Sequence, residues 1–196
     1  GRVVVCSSVT ASGLPEGRAD WFPEHLPVIE AHRDAPHHPY GISKLLAETL
    51  ADAYAGDRNM AVLSLRAMWV SFPENVGFAL DRAKNTAARW TFAHVAPEDL
   101  ARAVRCALHA DQVQRGSFYI SAADSCHPEP TLDWLQRAWA ERLPPADVSR
   151  FADFPRASLF DGALARARLG FVPRRSWVDQ LRAAGLNADS LAPQRP

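Results

Sequence analysis

The chain has 196 residues, of which 47% are hydrophobic and 22% are charged, and its formal net charge is zero. This length and composition are typical of one compact globular unit with a sizeable core. The neutral charge balance argues against nucleic acid or an anionic membrane surface as a partner, and no apolar run approaches the roughly 20 residues of a membrane span.

The three cysteines indicate the compartment in which the protein works. Cys6, Cys106 and Cys126 are odd in number, widely spaced and without a C-x-x-C pair. This usage argues against a disulfide framework or a zinc site and favours a reducing compartment. The first residues have the pattern of a strand rather than of a signal peptide, so we expect a cytoplasmic protein.

Strands and helices alternate along the first part of the chain. Strand patterns at 3–6, 61–65 and 117–120 are separated by helical patterns at 40–54 and 97–110. This β-α-β-α-β order predicts an α/β unit with a parallel sheet and right-handed crossover connections.

The last third of the sequence is mainly helical. Helices are predicted at 131–142, 162–169 and 177–184. Asp161 is the predicted N-cap of the second of these helices, and Gly170 stands at its C′ position.

The proline-bearing stretches 14–39 and 144–155 are predicted to be surface loops rather than linkers between domains. We therefore expect residues 1–196 to form a single unit. Within it, residues 1–125 would form the α/β portion and residues 126–196 mainly helices.

The first predicted strand ends abruptly in hydroxyl-bearing residues. Apolar residues from Val3 onward precede Ser7 and Ser8, a pattern typical of a strand buried on both faces of a parallel sheet. Open α/β sheets bind ligands at the carboxyl ends of their strands. Ser7 and Ser8 are therefore candidates to donate a hydrogen bond to a substrate.

Tyr40 and Lys44 form a second candidate pair, at the start of the first long helix. Lys44 and Lys84 are the only lysines among the 22 basic residues, and residues four apart share one helical face. A lysine ammonium is a compact charge, and a positive charge beside a phenol favours the phenolate. The pair is therefore suited to proton exchange with a bound substrate.

These motifs occur in the order found in a known enzyme superfamily. The matching segments are 3–13, Tyr40-Gly41-Ile42-Ser43-Lys44 with Ala47-Glu48, Leu65-Arg66 before Phe72-Pro73-Glu74, His94-Val95 with Asp99-Leu100-Ala101, and 160–173 with Ser176-Trp177. In these segments the chain resembles the extended branch of the short-chain dehydrogenase/reductase superfamily, the NAD-dependent epimerase/dehydratase family. The resemblance implies the second half of a Rossmann-like, doubly wound parallel sheet, followed by a small, mostly helical carboxyl-terminal lobe that covers the substrate.

The resemblance assigns catalytic roles to individual residues. Tyr40 would be the general acid/base that exchanges the hydroxyl proton during hydride transfer. Lys44 would favour ionisation of Tyr40 and hold the nicotinamide ribose. Ser8 aligns with the hydroxyl that binds the reacting oxygen, and Ser7 is the alternative if the turn is displaced by one residue.

The cofactor site implied by the resemblance is incomplete in this sequence. Besides Tyr40 and Lys44, the residues Arg66, Met68 and Trp69 would line the nicotinamide side of NAD or NADP. No G-x-x-G-x-x-G occurs among the ten glycines, although that motif normally brings backbone amides to the pyrophosphate. The sequence opens at what would be the fourth strand, so we expect it to need a missing amino-terminal half for cofactor binding and activity.

Departures from the family pattern bear on the substrate. Trp69 stands where nucleotide-sugar enzymes often carry a small or amide residue, and Arg156 lies so close to Asp161 that the loop which grips a diphosphate is shortened. The residues after Ser8 also lack the acidic pair of the dehydratases. These differences favour a dehydrogenase that acts on a small carbohydrate or sugar acid, with an epimerase of the same family as the alternative.

Other classes of function are less well supported. The sequence contains no G-x-S-x-G motif, which a hydrolase of the Ser-His-Asp type would carry. Four histidines lie close together in a stretch that is predicted to be a solvated loop rather than a metal site: His25, His32, His37 and His38. A non-catalytic fragment or interaction module is a further alternative, because strand 3–6 would form an exposed sheet edge. The helix at 40–54 pairs subunits in much of the resembled family, so a homodimer is also expected.

Overall fold

The structure, a computed structural model, describes residues 1–16, 21–57, 60–84 and 90–187. The strands in these ranges are β1 (Arg2–Ser8), β2 (Ala61–Ala67), β3 (Trp69–Val70), β4 (His94–Val95) and β5 (Arg115–Ile120). The α-helices are α1 (Pro39–Asp57), α2 (Val76–Ala83), α3 (Pro97–Leu108), α4 (Thr131–Trp139), α5 (Val148–Asp153), α6 (Ala163–Leu169) and α7 (Trp177–Ala183).

The main sheet is parallel, with the strand order β1-β2-β5. Its register places Ser7 beside Arg66 and Ser8 beside Ala67, so the polar end of β1 lies level with the end of β2. A second parallel pair, β3 and β4, sets Trp69 beside His94. The predicted α/β class and parallel sheet are confirmed.

Helices cover both faces of the main sheet. The Ser7 hydroxyl bonds to Glu48 of α1, whereas the Arg2 guanidinium bonds to the Ala107 carbonyl of α3 at 3.3 Å. Because alternate residues of a strand point to opposite faces, α1 and α3 lie on opposite sides of β1. This is the doubly wound arrangement that the sequence predicted.

The hydrophobic core continues from the sheet into the carboxyl-terminal helices. Leu63, Leu65 and Ile120 of the sheet and Trp177 of α7 are fully buried in one cluster. The separation into portions 1–125 and 126–196 stays a prediction. In the part of the chain that the structure describes, no helix is long and apolar enough to cross a lipid bilayer.

The described residues of the two stretches predicted to be surface loops, 14–16, 21–39 and 144–155, are more buried than expected, and residues 17–20 lie outside the described part of the chain. Leu26 and Val28, in the first stretch, are buried and form isolated bridges with Ala146 and Phe160. The second stretch contains α5, whose Phe151 is buried. The surface-loop prediction is therefore wrong for these residues, because their few apolar side chains pack against segments that are distant in sequence.

The cap of α6 differs by one residue from the prediction. Gly162 is the N-cap, and Asp161 instead accepts a hydrogen bond at 3.1 Å from the backbone N–H of Ala163. At the other end Gly170, predicted at the C′ position, is the C-cap and has a left-handed conformation, with φ of 68°.

Candidate active site

A cleft of about 440 Å³ opens at the carboxyl ends of β1 and β2. Strand ends, the first turns of α1 and the segments around β3 and residue 91 provide its lining: Cys6, Ser7, Ser8, Val9, Thr10, Pro15, Tyr40, Lys44, Ala67, Met68, Trp69, Val70, Trp90, Thr91, Ala93 and Leu100. The structure thus brings together all the predicted site residues except Arg66.

Lys44 lies between the phenol of Tyr40 and the end of β1. Its Nζ donates a hydrogen bond to the Cys6 carbonyl at 2.8 Å and lies 5.5 Å from the centroid of the Tyr40 ring. The ring of Tyr40 is half exposed towards solvent. Because α1 begins at Pro39, which suits the first turn of a helix, both side chains extend from the helix end nearest to the strand ends.

Ser8 is better placed than Ser7 to contact a ligand in the cleft. The Ser8 oxygen accepts hydrogen bonds from the Thr10 amide at 3.2 Å and from the Thr10 hydroxyl at 2.9 Å. Both bonds leave the Ser8 O–H free to donate. The Ser7 hydroxyl instead donates to the buried carboxylate of Glu48, on the α1 face of the sheet.

Arg66 lies under the sheet rather than in the cleft. Its guanidinium is buried and donates to the carboxylates of Asp34, at 2.6 and 2.9 Å, and Glu48, at 2.7 to 3.1 Å. Burial disfavours the charge, but the bonded carboxylates outweigh it, so the pKa of Arg66 is raised above its ordinary value. The contact of Arg66 with the cofactor stays a prediction. The guanidinium is not part of the cleft lining, and it bonds to Asp34 and Glu48 instead.

Glu48, to which no role was assigned from the sequence, lies beneath the cleft and bonds to the main sheet. Its carboxylate accepts hydrogen bonds from the side chains of Ser7 in β1, Arg66 in β2 and Ser117 in β5, the last at 2.9 Å. It therefore links α1 to all three strands of the main sheet. The sequence feature that could have pointed to Glu48 is its position four residues after Lys44, because residues four apart lie on neighbouring turns of one helical face.

An aromatic wall, formed by Trp69 and Trp90, limits the cleft on one side. The two ring centroids are 5.4 Å apart at an interplanar angle of 76°. Trp69 was predicted to line the site, whereas Trp90 was not, because nothing in the local sequence pattern places it beside β3.

A serine, a histidine and an aspartate also line up outside the cleft. His94 contacts the Ser71 hydroxyl at 3.1 Å and the Asp124 carboxylate at 3.3 Å. All three side chains are almost completely buried, so a substrate cannot reach this serine. The arrangement is therefore structural and gives no support to a hydrolase.

The histidine-rich stretch differs partly from its predicted solvated state. His32 is buried, its Nε2 accepts a hydrogen bond from the Glu24 amide at 3.2 Å, and its ring contacts Trp21 edge-on. Among the residues that the structure describes, no group of three or more His, Cys, Asp or Glu could hold a metal ion.

Arg156, predicted to lie on a shortened diphosphate-gripping loop, contacts an acidic group of the protein. Its guanidinium lies 3.4 Å from the carboxylate of Asp124, which also accepts the Trp177 amide at 2.9 Å. Burial lowers the pKa of Arg156 despite this neighbour.

The fold is shared with part of several solved structures, among them epimerases and a short-chain dehydrogenase/reductase superfamily protein. Neither a protein-family model nor a curated protein matches the sequence. Solved structures do match it, at identities that establish the fold alone.

UDP-glucose 4-epimerase from Brucella ovis in complex with NAD has a TM-score of 0.61 and 23% identity, over 94% of this chain and 64% of that chain. A short-chain dehydrogenase/reductase superfamily protein from Agrobacterium tumefaciens with bound NAD has a TM-score of 0.60 and 19% identity, over 93% and 65%. RMD from Pseudomonas aeruginosa complexed with NADPH has a TM-score of 0.59 and 17% identity, over 94% and 65%. The chain thus spans less than two thirds of each.

Proposed function

We propose that this chain carries the catalytic half of an NAD(P)-dependent oxidoreductase of the extended short-chain dehydrogenase type. Its substrate would be the C–OH or C=O group of a small carbohydrate or sugar acid. The observation that carries this proposal is the presence of Ser8, Tyr40 and Lys44 in one cleft at the carboxyl ends of parallel strands.

The proposed chemistry assigns one task to each of these side chains. Ser8 donates a hydrogen bond to the reacting oxygen, and Tyr40 removes the hydroxyl proton as the general base. Lys44, fixed by the Cys6 carbonyl, stabilises the phenolate that starts this transfer. NAD(P)⁺, when bound, supplies the acceptor for the hydride.

The described residues fit the nicotinamide end of the cofactor better than its pyrophosphate end. Lys44, Met68 and Trp69 lie in the cleft, where they would hold the ribose and the ring. No glycine lines the described cleft, and no glycine-rich turn occurs in the sequence. We therefore propose that an amino-terminal half outside these 196 residues completes the cofactor site.

Two further functions are kept as alternatives. An epimerase would use the same Tyr40 and Lys44, and the similarity to the Brucella ovis UDP-glucose 4-epimerase favours it as the second candidate. A non-catalytic interaction module is favoured by β1, which forms one edge of the described sheet and leaves Val3 exposed. Binding of NAD or NADP is expected for the dehydrogenase and the epimerase, but not for the interaction module.

Titration with NADH and NADPH, followed by nicotinamide fluorescence, tests the proposal. The 196-residue chain alone is expected to show no saturable binding, and adding a polypeptide that supplies the glycine-rich half should restore it. If the added half leaves binding absent, the oxidoreductase assignment fails and the interaction module is preferred.

Replacing Tyr40 by phenylalanine tests the catalytic assignment in the completed enzyme. Tyr40→Phe is expected to retain cofactor binding and to lose about 10²-fold or more in turnover, because the general acid/base is removed. Tyr54→Phe changes an exposed tyrosine farther along α1 and should leave turnover unchanged. Full activity of Tyr40→Phe would remove Tyr40 from the mechanism.

A homodimer and a cytoplasmic location complete the proposal. The α1 side chains Ile42, Leu46 and Leu50 recur every four residues and are exposed, so they form an apolar stripe available to a second copy. The three free cysteines support a reducing compartment.

A further inference from the structure

Ser8 and Thr10 form a hydrogen-bonded pair that lines the cleft where β1 ends. Ser8 is the last residue of β1, and it caps the short helical turn Val9–Ser12 that follows the strand. The turn is closed at its other end by Gly13, whose amide donates to the Thr10 carbonyl at 3.0 Å. The backbone of this turn therefore determines where the two side-chain oxygens lie.

The direction of the hydrogen bonds at Ser8 follows from the number of its lone pairs. A serine hydroxyl has one hydrogen to donate and two lone pairs to accept. The Ser8 oxygen accepts from the Thr10 amide at 3.2 Å and from the Thr10 hydroxyl at 2.9 Å, so both lone pairs are in use. Towards a bound molecule Ser8 is therefore a donor alone, and the group that it contacts must be an acceptor.

Thr10 offers the opposite hydrogen-bonding role. Its one hydroxyl hydrogen is donated to Ser8, and among the residues that the structure describes no group donates to the Thr10 hydroxyl oxygen. The residue lines the cleft and is partly exposed, so it is accessible to a bound molecule. The pair thus presents a donor and an acceptor side by side, with 2.9 Å between the two oxygens.

We propose that Ser8 and Thr10 together select a substrate whose reacting carbon is next to a second carbon with a free hydroxyl group. Ser8 donates to the reacting oxygen, and Thr10 accepts the hydrogen bond of the neighbouring hydroxyl. Two gauche hydroxyl groups on adjacent carbons hold their oxygens about as far apart as hydrogen-bonded oxygens are, which matches the spacing of the pair. The substrate class is thus a vicinal diol, or an α-hydroxy carbonyl compound in the reverse direction. The inference rests on the proposed function for the reacting group, whereas binding of the diol is testable separately.

Saturation-transfer NMR on the 196-residue chain tests the pair with three probes: trans-1,2-cyclohexanediol, trans-2-fluorocyclohexanol and cyclohexanol. The fluorine atom is small and polar like the hydroxyl that it replaces, but it cannot donate a hydrogen bond. The diol is expected to bind roughly two- to tenfold more tightly than either other probe, the usual effect of one neutral hydrogen bond. Equal affinity for the diol and the fluoro alcohol, or no saturation of the diol, would overturn the proposal.

Variants then assign the preference for the diol to Thr10. Thr10→Val keeps the shape of the side chain without its hydroxyl, and it should lower the affinity for the diol to that for the fluoro alcohol. Any loss of the Ser8 orientation weakens all three probes alike, so the ratio of affinities reports the Thr10 oxygen itself.

Two further variants complete this comparison. Thr10→Ser retains a hydroxyl and should retain most of the preference for the diol. Thr49→Val is the matched control, at an exposed position of α1 outside the cleft, and should leave the preference unchanged. A preference that survives in Thr10→Val arises elsewhere in the chain and contradicts the assignment to the pair.

The failure of the pair and the failure of the proposed function give different results. If the function is wrong and the pair right, the chain prefers the diol through Thr10, but the completed enzyme transfers no hydride to or from a diol or its ketone. If the pair is wrong and the function right, the completed enzyme oxidises a carbohydrate. In that case Thr10→Val changes kcat/KM by the same factor for the carbohydrate and for its analogue with fluorine in place of the neighbouring hydroxyl.

Discussion

Glu48 is the side chain on which the polar contacts beneath the cleft converge. A buried carboxylate that accepts bonds from Ser7, Arg66 and Ser117 is satisfied only while all three strands and α1 keep their relative positions. Removing it would leave the buried Arg66 cation with Asp34 as its remaining carboxylate partner among the described residues. We therefore expect Glu48 to stabilise the arrangement of the site and to take no part in its chemistry.

Replacing Glu48 by alanine is expected to lower the free energy of unfolding by about 3–5 kcal/mol, the usual cost of breaking a buried ion pair. Urea denaturation followed by circular dichroism measures this change. Asp52→Ala, at an exposed position of the same helix, should stay within about 0.5 kcal/mol of the wild type. A similar small effect of Glu48→Ala would show that the network contributes little.

The buried ring of His127 is expected to make the stability of the protein depend on pH. Its ring stacks on Trp134 at 5.1 Å and meets Phe92 edge-on at 4.7 Å, and burial lowers its pKa from the ordinary 6.5 to about 4. The unfolded chain takes up this proton below about pH 6.5, whereas the folded chain takes it up only near pH 4. The folded state therefore loses stability as the pH falls through this window.

His127→Asn removes the titrating group and is expected to flatten the loss of stability between pH 6.5 and pH 4, which should amount to roughly 1–3 kcal/mol in the wild type. Urea midpoints measured at several pH values report the difference between the two proteins. His109→Gln, at an exposed histidine, should keep the slope of the wild type. If the stability of His127→Asn falls with pH as steeply as that of the wild type, His127 is not the group responsible for the loss.

Local spacing explains which site residues were predictable. The strand end made Ser7 and Ser8 candidates, and one helical turn paired Tyr40 with Lys44, whereas the choice of Ser8 came from the resemblance. The structure places all four residues at the cleft. Arg66 is different, because its position depends on Asp34 and Glu48, which lie 32 and 18 residues away in the sequence. A pattern confined to a few residues carries no information about such partners.

At the scale of elements, the strands and long helices were predicted because their apolar periodicity is local. The missed elements are short: α5 has six residues and depends on the Asp147 cap and on the burial of Phe151. The turn after β1 likewise depends on a distant segment. Gly13 has φ of +79°, and a Cβ there would lie 2.5 Å from the Ala35 oxygen.

Gly13→Ala is expected to destabilise the fold by about 2 kcal/mol or more, since the added methyl meets backbone atoms and the conformation itself disfavours alanine. Gly77→Ala is the matched control, because a Cβ at that position in α2 meets nothing within 4 Å. The control should stabilise slightly, by about 0.5 kcal/mol. Thermal unfolding measures the change in stability of both variants, and changes of the same sign would contradict this prediction.

At the scale of the whole molecule, the chain leaves two surfaces that suit other polypeptides. Among the described residues, β1 forms one edge of the sheet and suits a further strand, and the apolar stripe of α1 suits a second copy. The apolar strand at 3–6 indicated the first surface, whereas the homodimer was expected only from the resemblance, in which the helix at 40–54 pairs subunits. Which residues of a partner cover them depends on shape, and the sequence of one chain does not encode that shape.

Leu46→Glu places a charge in the centre of the apolar stripe and is expected to convert the proposed dimer to a monomer. Sedimentation velocity measures this change directly. Asp52→Lys, which alters charge on α1 outside the stripe, should leave the dimer intact. A wild-type chain that sediments only as a monomer would remove the dimer from the proposal.

Cys6 makes the cleft chemically addressable. Its side chain is exposed at the cleft, whereas Cys126 is fully buried and burial raises the pKa of its thiol well above the ordinary value. A maleimide dye should therefore label Cys6 in preference to Cys126, and replacing the partly buried Cys106 by serine would make the labelling site-specific. Such a fluorophore would report occupancy of the cleft for a whole library of compounds, before any substrate is known.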